Sequence, residues 1–150
     1  MKKTTLFYVV IFTFLTINVF SQARKELNFG LVGANYEIPV HKDITIAPGA
    51  ASNLDLDWLT VSLRGNYYFD RIFGISDLPW DVYGGVGAGY AFNTGNDNND
   101  NGNDNNDGDF DLGLHAGARW FWNDKWGVYL EFGSGTASGA MGGLGLTVKM

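Results

Sequence analysis

Apolar side chains recur at every second position along this chain, and the runs are long. Leu59, Val61, Leu63, Gly65, Tyr67 and Phe69 share one parity, whereas Thr60, Ser62, Arg64, Asn66 and Tyr68 share the other. The same alternation governs Val82 to Phe92 and Phe110 to Trp120. A repeat of two belongs to the β-strand, whose successive side chains point to opposite faces. Almost nothing repeats at the helical period, so the predicted fold is all-β.

Seven segments read as strands: 26–36, 43–49, 58–69, 80–92, 109–121, 126–134 and 140–149. Pro48 lacks the N–H that a ladder needs, so its strand is expected to end or bulge there. The three central segments run 12 or 13 residues. Strands in water-soluble proteins are mostly about 5 or 6 residues long. A tilted strand crossing a bilayer needs about 9–11. Aromatic residues crowd the strand ends at Tyr67–Phe69, Tyr90, Phe92, Trp120–Trp122 and Trp126. Rings at those levels suit the two membrane–water interfaces.

The polar parity carries Arg64, Asp81, Asp111, His115, Arg119, Glu131 and Lys149 in or near mid-strand, with glycines between them. In a narrow closed barrel these side chains form a polar network across the lumen. Arg119 and Glu131 flank the 122–125 turn at similar distances and are expected to pair. An open sheet in lipid would leave edge N–H and C=O groups unpaired, so the sheet must close. The expected architecture is a small antiparallel up-and-down transmembrane β-barrel of eight strands. An even count requires one strand more than the seven found. It could lie within 26–42 as two short strands, or in 50–57. The alternative is a secreted soluble β-barrel whose apolar face encloses a small apolar ligand.

The first residues predict export. Lys2 and Lys3 precede an apolar run from Leu6 to Phe20, followed by small side chains near Ser21. This is the layout of a signal peptide, here 1–21 with cleavage between 21 and 23. The barrel domain then covers 24–150. Without Lys2 and Lys3, eight basic residues face sixteen acidic ones. That acidic balance speaks against nucleic acid as a partner. The sequence has no Cys, which removes disulfides, thiolate nucleophiles and thiolate metal ligands.

Residues 93–109 contain eight Asn, five Asp and three Gly, too polar to pack a core. They are expected to form a long exposed loop. Its Asp97-x-Asn99-x-Asn101-Gly102 stretch matches the first half of a calcium loop, but Gly108 stands where the closing carboxylate belongs. Loose Ca²⁺ capture by Asp97, Asp100, Asp104, Asp107 and Asp109 is the metal reading of this tract, and a solubilising loop is the stronger one. His41 and His115 have no second His or Cys at ligand spacing, and Ser134 and Ser138 stand in no nucleophile elbow. No cofactor and no catalytic activity are expected.

The segments DVYGGVGAGYAF (81–92), LGLHAGARWFWNDKWGVYLEFGSG (112–135) and GGLGLTVKM (142–150) resemble the small outer-membrane β-barrel superfamily of OmpX- and OmpW-like proteins, in the form found in Bacteroidota. The VFSQ junction at 19–22 is similar to signal peptides of that group. Met150 departs from the terminal aromatic usual in the family. The resemblance implies location in the bacterial outer membrane, contact with its lipids and insertion by the outer-membrane assembly machinery. It implies no single shared activity. The combined expectation is a barrel with a filled polar lumen and a structural or surface-interaction role.

Overall fold

The computed structural model describes residues 23–52, 54–93 and 108–150. Eight strands follow in order: β1 (Glu26–Gly30), β2 (Gly33–His41), β3 (Ile44–Ser52), β4 (Trp58–Tyr68), β5 (Trp80–Asn93), β6 (Asp109–Phe121), β7 (Trp126–Gly135) and β8 (Gly139–Lys149). Each pairs antiparallel with its neighbour in sequence, and β1 pairs with β8, so the sheet closes. The expected all-β closed barrel of eight antiparallel strands is the observed one. The signal peptide expected over 1–21 lies outside the described residues.

The eighth strand comes from the front of the chain. The segment expected over 26–36 is two strands, β1 and β2, folded back at Leu31–Val32 with Asn28 opposite Asn35. Pro48 does not end β3, which continues to Ser52 and pairs with β4 along its whole length. Pairing with β2 is instead interrupted opposite Ala47 and Pro48 and resumes at Gly49. The missing proline N–H is therefore accommodated on one side of the strand only.

Both ends of the described chain and the connections 42–43, 69–79 and 122–125 share one rim, called here the termini end. The strand ends on either side of 31–32, 53–57, 94–108 and 136–138 lie at the other. The long 69–79 connection contains a single helical turn, α1 (Asp70–Phe73), closed by Gly74 at φ 67°. Only glycine adopts that left-handed backbone freely. On the same rim the tight turn after Trp122 is held by Asn123, whose Oδ1 accepts from the N–H groups of Lys125 (2.9 Å) and Trp126 (2.7 Å).

The polarity of the wall is inverted relative to a water-soluble barrel. Leu63, Val86, Leu114 and Leu130 lie on the outer face, exposed to 56%, 60%, 67% and 48%. The largest fully buried side chains include Arg119, Tyr68, Tyr83, Glu26, Glu37, Thr45 and Thr147. Alternation decides this: closing the sheet places one parity inside, and the charged parity went in. The alternative of an apolar interior around an apolar ligand is thereby corrected. The parity it needs inside faces outward.

Candidate functional site: the charged interior

The interior is built in layers from residues two apart on each strand. In the layer nearest the termini, Arg24 makes a two-pronged bond to Asp81 (2.7 Å to each oxygen) and a third contact to Glu26 Oε1 (3.0 Å). Planar guanidinium against carboxylate is the strongest of the side-chain ion pairs. Lys149 places Nζ 3.5 Å from the centroid of the buried Phe121 ring, and the Arg24 guanidinium approaches the same ring at 5.5 Å.

Arg119 occupies the next layer. It donates to Glu26 Oε2 (2.8 Å), and it also bonds Glu37 Oε1 and the Tyr68 hydroxyl. Its guanidinium lies 4.1 Å from the Tyr83 ring centroid, a cation–π contact out of water. Glu37 in turn accepts from Asn28 Nδ2 (3.0 Å), Thr45 Oγ1 (2.6 Å) and the Tyr68 hydroxyl (2.7 Å). Two carboxylates around one guanidinium are thus further stabilised by neutral hydrogen-bond donors from β1, β3 and β4.

Above them Arg64 reaches from β4 across the barrel to Glu131 on β7 at 2.5 Å, and Tyr83 donates to the same carboxylate at 2.8 Å. Beside this pair His115 Nε2 donates to Asn66 Oδ1 at 2.6 Å. The remaining gap among Asn28, Asn35, Glu37, Arg64, Tyr83, Arg119, Tyr129 and Glu131 totals about 170 Å³ and holds no point that a water-sized sphere can occupy. Glycine makes the crowding feasible. A Cβ on Gly117 would stand 2.6 Å from the Tyr83 hydroxyl, and one on Gly145 would stand 2.6 Å from Cε1 of Tyr129.

Six of the seven expected lumen residues lie within or beside these layers: Arg64, Asp81, His115, Arg119, Glu131 and Lys149. Asp111 sits elsewhere. It leans over Gly135 at the far rim and ties down the β7–β8 turn, accepting from Thr136 Oγ1 (3.2 Å), Ala137 N (2.8 Å) and Ser138 Oγ (2.5 Å). The expected Arg119–Glu131 pair is also corrected. The β6–β7 register sets Arg119 opposite Tyr129 and Glu131 opposite Gly117, so each finds its partner across the barrel. Sequence reasoning missed Arg24, Glu26 and Glu37. The signal was the alternation of Glu26 and Asn28 with Leu27 and Phe29, which puts Glu26 on the polar parity.

Of the loop carboxylates, Asp109 opens β6 and is exposed, whereas Asp97, Asp100, Asp104 and Asp107 lie outside the described residues. Among the described residues, no group of three or more His, Cys, Asp or Glu could hold a metal ion.

No family model and no curated protein matches the sequence. Solved structures do match the fold. A de novo designed transmembrane β-barrel superposes with a TM-score of 0.59 at 15% identity, covering 87% of this chain and 98% of that one. The N-terminal β-barrel domain of Pseudomonas aeruginosa OprF gives 0.57 at 14% identity, covering 84% and 93%. At such identities the likeness concerns the architecture.

Proposed function

We propose that this chain is exported and inserted as a β-barrel in the bacterial outer membrane, with its lumen closed by the Arg24–Arg119–Arg64 layers. Its role is structural or surface-interactive. One observation carries the reading: the outer wall is apolar along the middle of every long strand, while the mid-strand charges lie in the interior. In water that arrangement would expose a continuous apolar belt, far beyond the patches that soluble monomers tolerate. In a bilayer it matches the solvent on both sides of the wall.

Strand β5 ends and β6 begins on the rim opposite the termini, so in this reading the 93–109 tract between them faces outside the cell. Loose Ca²⁺ capture by Asp97, Asp100, Asp104, Asp107 and Asp109 would occur there. Lipids are the barrel's permanent partner, and the outer-membrane assembly machinery is its transient one. The residues Arg64, Asp81, His115, Arg119, Glu131 and Lys149 act as a polar plug. Eight strands enclose an interior just wide enough for side chains to fill.

Cell fractionation with gel mobility before and after boiling tests the location. The reading expects a compact, detergent-resistant form in the outer-membrane fraction. A soluble periplasmic or secreted form would overturn it. Conductance across planar bilayers tests the plug separately, since steady large channels are incompatible with a filled interior.

A further inference from the structure

We propose that the rim segment 69–79 is a lipid-seated foot. Ile72, Phe73 and Leu78 enter the headgroup–acyl boundary of the leaflet nearest the chain termini. The inference deepens the membrane reading above and rests on it.

The segment repeats the wall's inverted polarity. Two of its three charged residues are held toward the barrel: Asp70 is buried and accepts from Val82 N–H at 2.6 Å, and Arg71 is ion-paired with Asp43 at the base of the β2–β3 turn, whereas Asp77 is exposed. Apart from Ser76 and Asp77, the side chains it leaves outside are mainly apolar. Ile72, Phe73 and Leu78 are exposed to 65%, 60% and 54%. Backbone bonds order the segment, from Phe73 N to Phe69 O (3.0 Å), Ile75 N to Asp70 O (2.9 Å) and Leu78 N to Ile75 O (2.9 Å).

The exposed residues also continue the lipid-facing wall. The Phe73 ring lies 6.1 Å from Phe69, and Phe69 lies 5.0 Å from Tyr67, an outward residue of β4. Just past the segment, Trp80 packs on Trp120 at 6.3 Å, and Trp120 on Trp122 at 6.4 Å. Aromatic rings of this kind occupy the interface level of membrane proteins. A turn of helix with its polar side pinned inward and its apolar side abutting that girdle has one matching solvent, the interfacial layer of a bilayer.

The sequence contains no cysteine, so a single introduced thiol is unique. Ile72→Cys, Phe73→Cys and Leu78→Cys, each carrying a bimane fluorophore, are folded into phosphatidylcholine vesicles, and boiling-sensitive gel mobility verifies the barrel. Val86→Cys marks the wall and Asp55→Cys, on the opposite rim, marks water. Shallow nitroxide lipids should remove most of the emission from the three foot positions, and iodide should remove little. Quenching by iodide to the extent seen at Asp55 would overturn the foot, and so would protection from both quenchers, which signals a protein cover. In either case a lipid-quenched Val86 label leaves the barrel reading standing. An iodide-quenched Val86 label would bring down both.

Discussion

Arg119 shows what a closed polar interior demands of one residue. It is 2% exposed and shared by two carboxylates that are equally dry. Removing the cation leaves Glu26 and Glu37 buried without their counter-charge, which in comparable buried pairs costs about 3–5 kcal/mol. Arg119→Met should therefore lower stability by about that amount in urea unfolding from lipid vesicles. A loss too small to measure would mean the carboxylates find water. Asp70, on the rim, has a carboxyl pushed up to about 6 from 3.8, by burial first and by the nearby Asp81 charge, against the Val82 N–H and Arg24. Between those two values the folded state binds more protons than the unfolded one, so this group lowers stability as pH rises from about 4 to about 6. Asp70→Asn should flatten that decline in unfolding measured across pH, and an unchanged slope would contradict the assignment. Arg64, Arg119 and Glu131 were visible in the sequence as charged members of a polar parity. Their partners were not, because pairing across a lumen depends on closure and register rather than on separation along the chain.

Elements were legible in proportion to their length. From β4 to β8 the strands begin and end within a residue or so of the segments read from alternation, because twelve-residue runs fix parity many times over. The front was harder to read. The β1–β2 connection is Leu31–Val32, an apolar pair with none of the usual turn residues, so alternation runs through it with no clear break. Pro48 argued for a strand end by a valid rule, and the fold met that rule by breaking one ladder instead of two. The β6–β7 turn carries its own signal in Asn123. Asn123→Ala removes the side-chain acceptor of two backbone N–H groups and is expected to cost about 0.5–1.5 kcal/mol, with faster amide exchange at Lys125 and Trp126. Unchanged exchange there would show that strand pairing alone holds the turn.

At the scale of the whole molecule, an unusual glycine content, long strands and charged mid-strand residues express one design. The wall is smooth and apolar outside, and the interior is crowded enough to need small residues where side chains cross. The direct test of that design compares two exposed leucines. Leu114 is 67% exposed in mid-strand on the outer wall, and Leu54 is 79% exposed in the 53–57 connection at the rim. If both faced water, arginine at either place would be nearly neutral. With the wall in lipid, Leu114→Arg should destabilise the barrel by about 2–4 kcal/mol in vesicle unfolding, while Leu54→Arg changes little. Two indistinguishable, near-neutral variants would contradict the account.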